Sequence, residues 1–570
     1  MIKIKEFVRQ SVAEIYDIVP EVDLTVPIFV NQGDLTLKCF EIAKKNNEQP
    51  VETANRIAEK LKTKKFEYID EIKAEGPYVN FTLNADKVAQ EILKQTSEND
   101  FGCNNYGQEK TIMVEYAHPN THKAFHIGHL RTLITGESIA RILQNVGFKV
   151  VRANYQGDVG MQIAKCLWAV QKKSDEYEKI KSAKLHEKVE FLGSAYAFGA
   201  QLFEKDKSVQ EEVGEINSKI YSNDQTIADL YKTTRKWSLD YFDAIYTRLN
   251  TKFDRLYFES EVFKRGIEIV NEFLKKGIFE VGEKQAIIFP GKKYGFHNRV
   301  FINSHGHPTY EAKDLALAEL QFVEYNPKEI VHVVGKEQIG YFEVVFKAIE
   351  KTLPSSIGKE RHLVYGWVSL KEGKMSSRTG QVVLGEWLLD EVEKRVSKIM
   401  EDRKLANKND IIKKVSVSAL KYAFLKTGIK NDIKFDFKSS VGLSGDSGPY
   451  LQYIVARIKS VLKRAGLNEE RLTSINIKGI KGVELVEKKL LIKIAEFNEV
   501  ILQSAQNYDP SKIAKYLFEL SQTFNVFYDK CPILTSQKEK LSLRLRIIEV
   551  TKVVMEKGLH LLGIESVEEM

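Results

Sequence analysis

Thr111-Ile112-Met113-Val114-Glu115-Tyr116-Ala117-His118-Pro119-Asn120-Thr121-His122-Lys123-Ala124-Phe125-His126-Ile127-Gly128-His129-Leu130-Arg131 is where the chain changes period. Its first six residues are apolar and rich in strand formers. After the Pro119-Asn120 break the apolar positions from Leu130 onward recur at helical spacing. The stretch is therefore a strand turning into a helix. Backbone N–H groups at a helix start lack intrahelical partners and carry the positive end of the macrodipole, so an anion is favoured there. His126 and His129, three residues apart, share one face, where their imidazoles can donate to phosphate oxygens as charge develops. Gly128 is expected to let a ligand approach the backbone closely. A His-x-x-His pair also fits half of a metal site. Against that, the zinc-protease helix pattern is missing and no cysteine cluster supplies further ligands.

Working outward, apolar strand-like runs alternate with helical stretches from 105 to 410, among them Lys149 to Tyr155, Glu329 to Val334 and His362 to Tyr365. Such alternation predicts a Rossmann-like parallel sheet with crossover helices, its ligands bound beyond the carboxyl ends of the strands. Charged helical sequence near 175–295 reads as an insertion between two halves of that sheet. Residues 1–104 read as a separate α+β unit, with a helix through Val51 to Leu61 and a strand Tyr78 to Leu83 after the Gly76-Pro77 turn. Residues 411–570 are helical almost throughout, with Ser447-Gly448-Pro449 the main break, and predict an all-α bundle. The fold class is thus α/β with an amino-terminal α+β domain and a carboxyl-terminal helical one.

At 570 residues the chain is too long for one core, so two to four domains are expected. No apolar run of about 18 residues could span a bilayer, and Met1-Ile2-Lys3-Ile4-Lys5-Glu6 lacks the apolar core of a secretory signal. A cytoplasmic protein without membrane association is expected. Cys39, Cys103, Cys166 and Cys531 are scattered, which fits reduced thiols and gives no metal site. A net charge of +8 is compatible with a nucleic-acid partner but does not by itself indicate one.

Far downstream, Lys371-Glu372-Gly373-Lys374-Met375-Ser376-Ser377-Arg378-Thr379-Gly380 forms a basic, glycine-flanked loop. Positive charge on a loop of this kind can close over a triphosphate and stabilise charge moving onto a departing pyrophosphate. The two segments together fit a site that grips the phosphates of ATP from opposite sides. At these residues the chain resembles the class I aminoacyl-tRNA synthetases, whose signatures are HIGH and KMSKS. The resemblance narrows to the arginyl-tRNA synthetases through further blocks in the same order: Gly157 to Gly160, Tyr310 to Leu315, Val334 to Gln338, and Ser447 to Tyr453. Gly33-Asp34-Leu35 and Gly76 to Phe81 resemble the amino-terminal domain of that family, which contacts the tRNA body. Ser418-Ala419-Leu420-Lys421-Tyr422 resembles the DALR signature of its anticodon-binding domain, with Ser418 and Lys421 in place of the acidic and arginine positions.

The resemblance implies an ATP-dependent enzyme that makes arginyl-adenylate from L-arginine and transfers the arginyl group to the 3′-terminal adenosine of tRNA(Arg), with activation dependent on bound tRNA. It implies catalytic roles for Lys123, His126, Gly128, His129, Lys374, Ser376 and Arg378, with His126, Gly128, His129, Lys374, Met375 and Ser376 on ATP. Ser377 replaces the second lysine of KMSKS, so its charge must come from Lys374, Arg378 or Lys123. Arginine would be held by Glu115, Asn120, His129, Tyr310, Asp314 and Gln338. A guanidinium is planar with five donors, so carboxylates that accept fork-like bonds suit it, and an ammonium cannot reproduce that fork. Mg²⁺ would accompany ATP, held mainly by phosphates and water. For RNA, phosphate contacts and aromatic stacking point to Tyr450, Gln452, Tyr453 and Arg457. A monomer is expected. Two competing readings are an adenylylating ligase joining an amino acid to a small amine, disfavoured by the long helical carboxyl-terminal region, and a silent tRNA-binding paralogue, disfavoured by intact His126, Gly128, His129 and Lys374.

Overall fold

The structure, a computed structural model, describes residues 2–16, 24–27, 32–97, 101–371, 383–466 and 479–570. Near the amino terminus four strands, β1 (Leu24–Thr25), β2 (Leu35–Lys38), β3 (Ile69–Glu75) and β4 (Tyr78–Leu83), form an antiparallel sheet in the order β1-β2-β4-β3. The helix Pro50–Lys62 starts with proline at its first position, where the missing N–H is no loss, and buries Ala54, Ile57, Ala58 and Leu61 at helical spacing.

Five strands make the central parallel sheet: β5 (Thr111–Glu115), β6 (Lys149–Gln156), β7 (Arg255–Phe258), β11 (Glu329–Gly335) and β12 (Glu360–Tyr365), in the order β12-β11-β5-β6-β7. The chain runs outward from β5 through β6 to β7 and then returns to β11 on the other side of β5. The order therefore reverses between β5 and β11, and the crevice at their carboxyl ends is the place where such sheets bind ligands. The expected insertion is divided. Its helices, Ser174–Ile180, Leu185–Lys205, Lys207–Ser222 and Gln225–Arg248, are followed by β7, a strand of the main sheet. After the helix Glu259–Lys275 comes a small antiparallel sheet of β8 (Glu280–Val281), β9 (Ile287–Phe289) and β10 (Arg299–Ile302). At four residues, with Arg255 and a partly exposed Leu256, β7 is too short for period to reveal it.

The carboxyl-terminal third holds the helices Lys408–Leu425, Gly448–Arg464, Leu485–Ala495, Phe497–Asn507, Ser511–Lys530 and Lys538–Leu561. A short parallel pair, β13 (Val368–Leu370) with β14 (Ile433–Phe435), interrupts the helical run. The Ser447-Gly448-Pro449 break is a helix start: the Ser447 hydroxyl accepts from the Tyr450 N–H. Gly448 lets this helix approach its neighbour, because a Cβ there would lie 2.3 Å from the Ser418 carbonyl oxygen.

The regions are joined by buried polar contacts as well as by a continuous apolar core. The fully buried Arg131, on the helix Ile127–Asn145, donates to the Phe424 and Ile429 carbonyls. Lys421 donates at 2.6 Å to the carbonyls of Leu249 and Gly563. Asp34 beside β2 pairs with Lys488 at 2.7 Å, both buried, and ties the amino-terminal sheet to the bundle. Among the described residues no helix is long and apolar enough to cross a membrane.

Candidate active site

Immediately after β5 the backbone enters the left-handed region at Ala117 (φ 79°), His118 (φ 50°) and His122 (φ 62°). For residues with a Cβ this is strained, by about 1–3 kcal/mol each, and persists only where the surroundings hold it. Here the helix Gln225–Arg248 does so: the Ser238 hydroxyl accepts from the His122 N–H at 2.9 Å, and the His122 ring reaches Thr234 at 2.8 Å. The turn ends with His126 capping the helix Ile127–Asn145. Its Nδ1 accepts from the Gly128 N–H, while His129 Nδ1 accepts from the His126 N–H, each at 3.1 Å. With both Nδ1 atoms accepting, the ring protons sit on Nε2, free to donate. The rings stack with centroids 3.7 Å apart. Burial and then the charge of Lys123 push His126 down to about 4, and burial and then its neighbour push His129 well below the usual range. Both imidazoles are therefore neutral near pH 7.

The expected opening for a ligand at Gly128 is filled from within. A Cβ there would lie 2.9 Å from Cε1 of His126, so the glycine makes room for that ring. Lys123 lies 5.2 Å from the centre of the Tyr196 ring, and burial, then Lys165, lower its pKa.

Lys374, Met375, Ser376, Ser377 and Arg378 lie outside the described residues. Just downstream, the Val383 carbonyl accepts from the Ile127 N–H at 2.9 Å, the Gly385 N–H donates to the Phe125 carbonyl at 2.8 Å, and Leu384 bridges to His126. The segment following the second signature is thus hydrogen-bonded directly to the imidazole turn.

Beside the turn, at the carboxyl ends of β5, β6 and β11, lies a cavity of about 440 Å³. Five carboxylates line it. Glu259 pairs with Lys313 at 2.8 Å and Glu311 with Arg299 at 2.9 Å. Glu115 and Glu360 flank His332, at 2.9 and 2.7 Å. Among the described residues Asp314 alone of the five has no cationic partner; it accepts from the Tyr341 hydroxyl at 2.7 Å, and burial pushes its carboxyl up to about 8 against that hydrogen bond. Glu115, Asn120, Tyr310, Asp314 and Gln338 all line this cavity; His129, expected with them, does not, because its ring is held against His126. Glu115 differs from expectation too. It is 3% exposed and its oxygens are taken by His332 and Gln321. Asn120 lies so close to Gly157 that a Cβ there would come within 2.0 Å of its Oδ1. Sequence reasoning missed His332, Gln321 and Tyr341. The one available signal was a lone histidine in the apolar run Ile330 to Val334.

In the bundle, Gln452 is fully buried and donates to the Glu565 carbonyl at 2.7 Å, and the buried Tyr450 accepts from Asn525 at 2.7 Å. These two pack between helices and present almost no surface to a nucleic acid. Tyr453 and Arg457 remain partly exposed, with Arg457 donating to the Tyr453 hydroxyl at 2.6 Å and lying over its ring.

Comparison with known proteins gives one answer along the whole chain. The family of class I (R) tRNA synthetase catalytic domains matches residues 89–437, the arginyl tRNA synthetase N-terminal domain residues 3–83, and the DALR anticodon-binding domain residues 451–570. Ser418 to Tyr422 thus falls within the catalytic match and ahead of the DALR match. The arginine–tRNA ligase of Streptococcus agalactiae is 31% identical over 571 residues, covering 98% of this chain and 99% of its own. That of Clostridium beijerinckii is 30% identical over 573, covering 100% and 99%. In fold, the chain is similar to the arginyl-tRNA synthetase of Thermus thermophilus, with a TM-score of 0.82 at 23% identity over 100% and 99% of the two chains.

Proposed function

The chain belongs to the arginyl-tRNA synthetases, class I enzymes that use ATP to join arginine to tRNA, and from that premise we propose how its own residues divide the work. The cavity beneath Asn120 and Tyr310 takes the arginine side chain. What supports this is Asp314: of the carboxylates there it alone lacks a cation among the described residues, and a guanidinium supplies a permanent one. Asn120 and Gln338 take the α-amino and carboxylate ends, and Tyr310 covers the aliphatic stem.

In the first step the arginine carboxylate oxygen bonds to the α-phosphorus of ATP while the bond to pyrophosphate breaks. Positioning and charge stabilisation supply most of the rate. The Nε2–H groups of His126 and His129 donate to the phosphate oxygens, and Gly128 holds the His126 ring in register. Lys123, Lys374, Ser376 and Arg378 bring donors and charge to the leaving pyrophosphate, with Met375 against the nucleotide. Mg²⁺ would accompany ATP and offset charge on its phosphates, with no residue of this chain assigned to hold it. In the second step a ribose hydroxyl of the terminal adenosine takes the arginyl group and AMP leaves.

The division of labour along the chain is part of the same proposal: residues 1–104 on the tRNA body, 105–410 for chemistry, 411–570 on the anticodon, with Tyr453 and Arg457 facing RNA. Activation waits on bound tRNA, and the enzyme works as a cytoplasmic monomer. Pyrophosphate exchange with each amino acid, with and without tRNA(Arg), tests the reading. Exchange with arginine alone, and only when tRNA is present, is expected; exchange driven by another amino acid overturns it.

A further inference from the structure

The chain leaves β6 through Gly157-Asp158-Val159-Gly160, a block that sets the direction of the helix after it. Gly157 lies against Asn120. Asp158 is fully buried and accepts from the Ser260 N–H at 2.9 Å, the Ser260 hydroxyl at 2.7 Å and Arg235 at 2.8 Å, which fixes the chain at this point. Gly160, at φ 103°, then turns the backbone into the helix Met161–Lys172 in a conformation that a residue with a Cβ rarely adopts. The second residue of that helix is Gln162, and its amide donates to the Tyr310 hydroxyl at 3.1 Å. Tyr310 lines the cavity yet is 47% exposed, as the first residue of the helix Tyr310–Tyr325. The centre of its ring lies 4.4 Å from the Lys313 ammonium, which the buried pair with Glu259 holds in place. The other polar atom of the Gln162 amide, Oε1, is buried and has no partner among the described residues.

We propose that Gln162 is a positioning residue for arginine binding: anchored through Asp158 and Gly160, it holds the Tyr310 ring over the cavity. This rests on the reading that Tyr310 covers the arginine side chain. A half-exposed tyrosine at a helix start exchanges side-chain rotamers unless its far end is tied. Lys313 holds the ring by its face, and Gln162 ties it at the hydroxyl. Arginine binds the fraction of molecules in which the ring is in place, so releasing the ring lowers the apparent affinity by that fraction. Folding gains little from this amide. Buried with half of its hydrogen-bonding capacity unmet, it is worse for stability than an apolar side chain of equal length. Its value therefore lies in what it does to Tyr310.

Steady-state aminoacylation by the full chain with tRNA(Arg), at saturating ATP and then at saturating arginine, tests it. Gln162→Met keeps the length and loses the donor; the arginine KM is expected to rise about fivefold, the scale of one hydrogen bond, with kcat and the KM for ATP unchanged. Its thermal midpoint is expected to equal or exceed that of the unsubstituted protein. A lowered midpoint with an unchanged arginine KM means a purely structural glutamine and overturns the proposal. Tyr310→Phe removes the other end of the bond and is expected to raise the arginine KM at least as much. Combining the two should add nothing to Tyr310→Phe alone, because the bond is already gone. A double variant that shows the product of the two single effects overturns the proposal. Where Gln162→Met folds poorly, Tyr310→Phe at its half-exposed position still decides: an unchanged arginine KM there overturns it as well. Tyr310→Ala separates the failures. If removing the whole ring leaves the arginine KM unchanged, the cavity reading itself is wrong; if it raises that KM while Gln162→Met does not, only the role of Gln162 falls.

Discussion

The imidazole turn and the acid cavity lie side by side at the sheet's switch point, yet they treat histidine in opposite ways. In the turn, His126 and His129 face backbone N–H donors and Lys123, so burial prevails and both rings stay neutral. In the cavity, His332 faces two carboxylates, which overcome the same burial and keep it charged. Partner identity sets the protonation state where burial is common to both. Neutral donors suit a site where charge moves during the reaction, because they neither trap the ground state nor titrate near pH 7. A fixed net negative charge suits a substrate that is always a cation.

Breaking the cavity side of this contrast gives the largest expected effect. Asp314→Asn leaves the guanidinium buried against an amide that cannot neutralise it, and kcat/KM for arginine is expected to fall about 1000-fold at saturating ATP. An effect below tenfold in steady-state aminoacylation would remove Asp314 from the contact.

The turn is broken by His129→Asn, which can keep an acceptor for the His126 N–H but loses the Nε2–H donor. A fall of about 100-fold in kcat for tRNA-stimulated pyrophosphate exchange is expected, with the arginine KM nearly unchanged. Since His126 titrates at about 4, these rings should contribute no rate change between pH 6 and 8. A rate that falls as pH rises through 6.5 would mean that the imidazolium form does the work.

Proton linkage sharpens the comparison at a smaller scale. In the free protein the Asp314 pKa is raised to about 8 from an ordinary carboxylate value, so near pH 7 the group is mostly protonated. The ionised form is the one that receives a guanidinium. Arginine binding therefore releases a proton, tightens by up to about tenfold per pH unit as pH rises toward 8, and levels off above it. For stability the sign is the same as for any raised pKa: the favourable contribution of the protonated acid is complete at low pH and is lost as pH rises through about 8. Calorimetric titration of arginine with tRNA present, between pH 6 and 9, checks the affinity slope, and Asp314→Asn should abolish it.

How much of this the sequence disclosed depended on whether a feature is local. The strand-to-helix switch is written in period and in one proline, so the imidazole turn and four of the five parallel strands were legible. Strand β7 was not, because it has four residues and is identified as a strand only by pairing with β6. The cavity residues were named through the family blocks, but the sequence could not show that Glu115 is already engaged, since His332 and Gln321 lie more than 200 residues away and meet it only in the folded chain. The same limit applies to Gln452. A glutamine between tyrosines on a basic helix reads as a surface group, and only the packing of the carboxyl-terminal segment over it, through the Glu565 carbonyl, makes it interior.

Two glycines, one in each region, give the smallest and cleanest test of the contrast. At Gly157 an added methyl meets Asn120 Oδ1 at 2.0 Å, the far end of a side chain that can swing aside. Gly157→Ala is thus expected to displace Asn120 from the α-amino end of arginine and raise the arginine KM about fivefold, the scale of one hydrogen bond, with little change in kcat. At Gly128 the methyl meets the His126 ring, which is held by the Gly128 N–H and by stacking on His129. Gly128→Ala should therefore lower kcat and spare the arginine KM. Both kinetic constants measured on both variants decide the matter: if each glycine moves the constant assigned to the other, the cavity and the turn do not divide binding from phosphate chemistry.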